Sequence, residues 1–148
     1  MKRIVLPFAA LVLLSLVSIM SVAQNNTKLP QDARNLISSH FKGYTINHVE
    51  DDVDFLKTEY KVYVGNKRAS FKLEFDSKGK LIGMASLDKK TALPNSLVPL
   101  KISQYVKDVY PNTNIIEWEM ERRTQTVELE NRLELVFSKS GDFLRIDY

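Results

Sequence analysis

The chain has 148 residues, 21 Lys+Arg against 18 Asp+Glu, and no cysteine. The missing cysteines exclude disulfide staples, thiol chemistry and any cysteine-based zinc site, so packing alone must hold the fold. Once Lys2 and Arg3 are set aside with the leader they belong to, 19 positive groups face 18 negative ones. That balance gives no argument for nucleic acid or an anionic membrane surface as a partner.

Lys2-Arg3 is a basic head, Ile4 to Met20 is apolar, and Ser21-Val22-Ala23 is a small-x-small site. This is the layout of a secretory signal peptide, cleaved after Ala23. The alternative is an uncleaved anchor, because the apolar run approaches spanning length. The cleaved reading predicts a periplasmic or secreted protein with no stable membrane span. Residues 24–28 read as a flexible lead-in, and Asn25-Asn26-Thr27 as a chance sequon. The remainder is long enough for one compact domain.

Pro30 to Lys42 reads as a helix, with Ala33, Leu36, Ile37, His40 and Phe41 on one face. Gly43 suits its stop. Tyr44 to Glu50 is the first strand, and Glu50-Asp51-Asp52-Val53-Asp54 reads as an exposed acidic hairpin loop. Tyr60 to Val64 alternates, as do Phe71, Leu73 and Phe75, and Lys80 to Leu87 returns after a turn at Ser77-Lys78-Gly79. Asp88 to Ala92 is a linker. Then the pattern recurs. Ile102, Tyr105, Val106, Val109 and Tyr110 form a second helical stripe, with Pro99 at or before its first turn. Ile116, Trp118 and Met120 alternate with glutamates, as do Val127 and Leu129, then Leu133, Leu135 and Phe137. Ser138 to Gly141 turns the chain into a last strand from Asp142.

The chain is thus one unit written twice, a helix followed by about four antiparallel strands. The units span 29–87 and 93–148. Their offset is 64 at Leu29-Pro30 and Leu93-Pro94, and 62 at the turns closing on Gly79 and Gly141. The shifts fall in loops, where insertions cost little. The Leu-Pro pairs, the helix ends at Phe41-Lys42-Gly43 and Tyr110-Pro111, the Val49-Glu50 and Trp118-Glu119 strands, and the Phe75-Asp76-x-x-Gly79 turn resemble the PepSY-like periplasmic proteins. These are described as β-lactamase-inhibitor-protein-like in fold. The resemblance implies an α+β fold: two tandem α-β4 repeats in one long antiparallel sheet, helices on one face and the other face open. It supplies no catalytic residues. The second copy carries Ser138 where the first has Asp76, so any role of that aspartate is expected not to be shared by both halves.

Residues two apart on a strand share a face. The inward set is Val62, Val64, Phe71, Leu73, Phe75, Trp118, Met120, Val127, Leu129, Leu133, Leu135 and Phe137. The opposite set is the candidate binding surface: Lys61, Tyr63, Lys72 and Glu74 in the first half, with Glu59 beside them. In the second half it is Glu117, Glu119, Glu121, Glu128, Glu130, Arg132 and Glu134. A solvated sheet face is the competing reading. Against it, facing like charges cost stability unless Arg122, Arg123 or Arg132 offset them.

No metal site is expected. Residues 50–54 lack the glycine and distal glutamate of an EF-hand loop, and His40 and His48 lie on different elements. His40 reads as a packing histidine and His48 as a residue of the open face. No His-Glu-x-x-His, Gly-x-Ser-x-Gly or phosphate-cradling loop occurs, and exposed carboxylates lack the burial that tunes acid catalysis. The expectation is a non-enzymatic exported binding module without a cofactor. Its open sheet face engages an exported protein or peptide, with inhibition one form this could take. The alternative is a small-ligand or cation-binding protein of the envelope.

Overall fold

The computed structural model describes residues 28–54 and 57–147. The leader, all but one residue of the lead-in, the sequon and Tyr148 lie outside the described residues. Helix α1 spans Gln31–His40, followed by β1 Thr45–Asp54, β2 Lys57–Gly65, β3 Ser70–Asp76 and β4 Leu81–Ser86. Helix α2 spans Leu100–Val109, followed by β5 Ile115–Met120, β6 Thr124–Leu129, β7 Glu134–Ser138 and β8 Phe143–Asp147. All eight strands form one antiparallel sheet in chain order. The α+β architecture expected from the repeat is therefore the observed one. No helix among the described residues is long and apolar enough to cross a membrane.

Pro30 and Pro99 sit at the N-caps of α1 and α2, where no side-chain cap is present. Each helix ends with an aromatic C-cap whose N–H returns to the helix, Phe41 to the Ile37 carbonyl and Tyr110 to that of Val106. Ala33, Ile37, Ile102 and Val106 join the inward strand residues in one core. Met120 and Leu133 are only partly buried at its margin. The helical stripe fails at one equivalent position in each copy. His40, expected to pack, is exposed, its Nδ1 3.4 Å from Ser96 Oγ. Val109 is 50% exposed. Both close the last turn of a ten-residue helix, seven places after a buried residue, and the aromatic C-cap beside each takes the contact with the core instead.

The acidic run at 50–54 is not a loop. It continues β1, with Asp51 opposite Tyr60, Asp52 opposite Glu59 and Asp54 opposite Lys57. Register shifts interrupt several ladders. The one in β5 leaves both Ile115 and Ile116 buried, which simple alternation does not predict. Trp118 is core, as expected. Its indole N–H donates to Gln125 Oε1 at 3.0 Å, and Gln125 Nε2 donates to the Lys139 carbonyl at 3.0 Å. Those bonds are what let a buried glutamine share the apolar face.

The closing turns explain the repeated glycine. Asp76 N–H donates to the Lys80 carbonyl and Gly79 N–H to that of Asp76; Ser138, Asp142 and Gly141 repeat the pattern. Asp76 Oδ1 accepts from the N–H groups of Lys78 and Lys80, and Ser138 Oγ accepts from Asp142 N–H. Serine therefore keeps part of the aspartate's role. Gly79 and Gly141 both have φ of +85°, which side chains with a β-carbon adopt at a cost. A β-carbon on Gly79 would lie 2.8 Å from the Ala33 backbone nitrogen, whereas on Gly141 it would meet the flexible Lys101 side chain at 3.2 Å. Each hairpin thus seats against the start of its own helix. Gly79→Ala is expected to cost about 2–3 kcal/mol and Gly141→Ala about 1–2 kcal/mol in urea unfolding. Equal losses would contradict the tighter seating of the first hairpin.

Candidate functional site

The register assembles the open face into two rows. One runs His48, Tyr63, Lys72, Ala85, Glu117, Glu128, Glu134 and Asp147 from β1 to β8. The next runs Glu50, Lys61, Glu74, Gly83, Glu119, Thr126, Val136 and Arg145. Aromatic and basic groups occupy the first half of the first row, and carboxylates the second. His48 faces Tyr63 with ring centroids 5.8 Å apart. At the seam β4 supplies only Ala85 and Gly83. Glu74 lies over that glycine, its Oε2 3.6 Å from where a β-carbon would sit.

Glu117, Glu119, Glu121, Glu128 and Glu134 converge with Thr126 on a shallow depression of about 190 Å³. Glu121 reaches it from the turn after β5, where it also accepts from Thr124 Oγ1. Glu130 and Arg132 are not strand residues. They occupy the β6–β7 turn, Arg132 with φ of +72°. Glu130 accepts from Asn114 Nδ2 at 3.1 Å and does not line the depression. Arg132 Nη1 holds Glu128 at 3.1 Å. In the first half Lys72 pairs with Glu74 at 2.6 Å and Lys61 with Asp52 at 3.4 Å. Asp52 therefore contributes to this face from β1.

The main counter-ion of the acidic half is Lys89, which sequence reasoning placed in the linker. Its Nζ bridges Glu117 at 2.5 Å and Glu128 at 2.9 Å. The preceding residue sets this up. The Asp88 carboxylate accepts from Ser86 Oγ, Thr91 Oγ1 and the N–H groups of Lys90 and Thr91. Those bonds hold it far below the usual carboxylate range and fix a turn in which Lys89 takes φ of +55°. The only hint in the sequence is Ser86-x-Asp88-x-x-Thr91, a side-chain-capped turn. Arg145, paired with Asp147 at 2.8 Å, was also missed. It follows the bulge opposite Val136 and Phe137.

These contacts sort the glutamates. Hydrogen bonding to Glu117 raises the Lys89 ammonium above its ordinary value, against desolvation. Burial alone would push Glu128 up, but hydrogen bonds from Lys89 and Arg132 outweigh it and hold its carboxyl low. Glu119 moves the other way. Desolvation comes first, then the charges of Glu74, Glu117 and Glu121, with Lys72 opposing them only in part. No group of three or more His, Asp or Glu side chains among the described residues is arranged to hold a metal ion.

A carboxyl whose folded pKa is raised makes folding less favourable as pH climbs from its unfolded value through its folded one. Glu119→Gln is therefore expected to be more stable than the parent at pH ~7, by only a few tenths of a kcal/mol, because much of the residue stays in contact with water, which screens these charges and limits the desolvation. The gain should vanish below pH ~4, where the parent is protonated too. Thermal melts across that range read the effect directly; a destabilised variant at neutral pH would contradict it.

The family model described as "Putative beta-lactamase-inhibitor-like, PepSY-like" matches residues 20–83 and again residues 85–145. Among solved structures, a "putative periplasmic protein of unknown function" from Bacteroides vulgatus is 30% identical, with a TM-score of 0.73. The match covers 82% of this chain and 94% of that one. A "putative calcium-regulated periplasmic protein" from Bacteroides thetaiotaomicron is 31% identical, with the same TM-score, over 82% and 92%. Another solved structure, of a "putative periplasmic protein from DUF2874 family" from Bacteroides vulgatus, is 30% identical at a TM-score of 0.73, over 82% and 92%. None of the curated proteins matches this chain. These neighbours carry the exported location read from the leader. With a family match over each half of the sheet, this chain belongs to the PepSY-like, β-lactamase-inhibitor-like family.

Proposed function

We propose that this protein is a non-enzymatic exported binding module whose open sheet face engages another exported protein or peptide. The observation that carries this reading is the depression ringed by Glu117, Glu119, Glu121, Glu128 and Glu134. Like charges directly opposite one another destabilise a sheet, and the salt bridges from Lys89 and Arg132 reach only Glu117 and Glu128, with Arg145 acting on Glu121 and Glu134 at longer range. A partner presenting lysine or arginine would complete the neutralisation. Tyr63 and Lys72 would meet the same partner across the seam, since they share the row of Glu117. Tyrosine suits that role, being rigid with one polar tip.

The charge test is a triple variant, Glu119→Gln, Glu121→Gln and Glu134→Gln. It leaves both glutamates held by Lys89 in place. Capture of the partner from the protein's own envelope extract should fall at least about tenfold, and parental capture should weaken with added salt. Equal capture by parent and variant would mean that the face is merely solvated.

A second reading is cation binding on the same face, favoured by the 31%-identical neighbour described as calcium-regulated. If calcium binds, millimolar calcium should raise the melting temperature of the parent by several degrees through mass action, and that of the triple variant much less. An unchanged melt would discard this reading and leave the protein-binding one standing.

A further inference from the structure

Away from the open face, a cleft of about 440 Å³ lies between α2, the linker and the start of β5. Its volume falls in the range of small-molecule pockets. Val106 and Ile115 form its buried floor. Asn95, Gln104, Tyr110, Thr113 and Asn114 line it, with Lys107 as the one charged group. Gln104 and Asn114 each spend one amide N–H on a carboxylate, Asp108 and Glu130, which leaves the second N–H and the carbonyl oxygen for another partner. Among the described residues the Asn95 amide and the Thr113 hydroxyl make no hydrogen bond within the chain.

The first half carries rings at positions equivalent to part of this region. Phe41, Tyr44 and Phe71 pack there as three rings, with centroids 5.4–6.0 Å apart. Ala33 and Ile37 recur as Ile102 and Val106, an offset of 69, and this with the closing-turn offset of 62 carries these three onto Tyr110, Thr113 and Leu133. A hydroxyl thus replaces one ring and an aliphatic chain another. Tyr110, half-buried at this margin, keeps an aromatic surface beside the opening. At Thr113 the second copy carries a hydroxyl where the first packs the Tyr44 ring, and the polar cleft with its apolar floor opens there.

From this lining we propose that the cleft is a binding site for a neutral polyhydroxylated ligand, a saccharide of one or two rings. Amide carbonyls accept from sugar hydroxyls, while the Asn95 amide, the Thr113 hydroxyl and Lys107 donate to them. The Tyr110 ring offers an apolar surface to the C–H face of a pyranose. No carboxylate lines the cleft to hold a cation, and a single lysine is a poor match for a phosphate, which several donors normally surround.

Titration of ¹⁵N-labelled protein with glucose, galactose, N-acetylglucosamine and cellobiose, with inorganic phosphate and free lysine as class controls, tests this. At least one sugar should give saturable shifts at Asn95, Thr113 and Asn114. Thr113→Tyr, which restores the first copy's ring, should weaken that binding at least about tenfold, with no loss of melting temperature. Asn95→Ala, on an exposed position that the core does not use, should weaken it severalfold, and keeps the test valid if the tyrosine disturbs folding. No saturable shift with any of the sugars, binding of phosphate or lysine alone, or sugar shifts that both variants leave unchanged would overturn the proposal.

Discussion

Everything on the open face depends on a short ladder between β4 and β5. Only Gly83 with Glu119, Met84 with Trp118 and Ala85 with Glu117 pair across it. Without that ladder two four-stranded sheets would turn their faces independently, and the rows from His48 to Asp147 and from Glu50 to Arg145 would not exist. Two further links brace the junction. Met84 and Trp118 carry the core through it on the helical side. On the open side Lys89, projecting from the turn that follows β4, grips Glu117 on β5 and Glu128 on β6. The same lysine lowers the repulsion that the glutamate row would otherwise impose on the ladder.

The duplication is conserved where packing demands it and relaxed elsewhere. Both copies keep a proline N-cap, an aromatic C-cap and a positive-φ glycine turn seated on the helix start. These are backbone constraints that few sequences satisfy. The two copies part company on the open face and around the helix C-termini. There one presents mixed charge and the Tyr44 ring, and the other presents glutamates and a polar cleft beside Thr113. Specificity in a binding protein resides in such side chains rather than in the scaffold that carries them.

Much of this was legible from the chain alone, because the inward strand residues alternate and bury themselves as alternation requires. Val62, Leu73, Phe75, Val127, Leu135 and Phe137 are all fully buried. What escaped the sequence has specific causes. A bulge shifts alternation by one, so Ile115 and Ile116 are both buried. His40 and Val109 follow the helical period, yet their helices end before the period is satisfied. The run at 50–54 looks like a loop by composition, but an edge strand facing solvent tolerates carboxylates and is protected by them from pairing with another chain. Glu121, Glu130 and Arg132 continue an alternating pattern past the point where the strands turn. Lys89 was hidden because a positive-φ residue in a linker cannot be aimed from sequence.

The open sheet face as the working surface of this protein can be tested where the protein resides. Carbodiimide labelling of carboxylates, read by mass spectrometry, would compare intact envelopes with the purified chain. Shielding in the envelope of Glu119, Glu121 and Glu134 on the open face, with Asp32 on α1 and Asp108 on α2 labelled equally in both, is the predicted result. Shielding confined to the helices, or equal labelling of all five carboxylates in both settings, would contradict it.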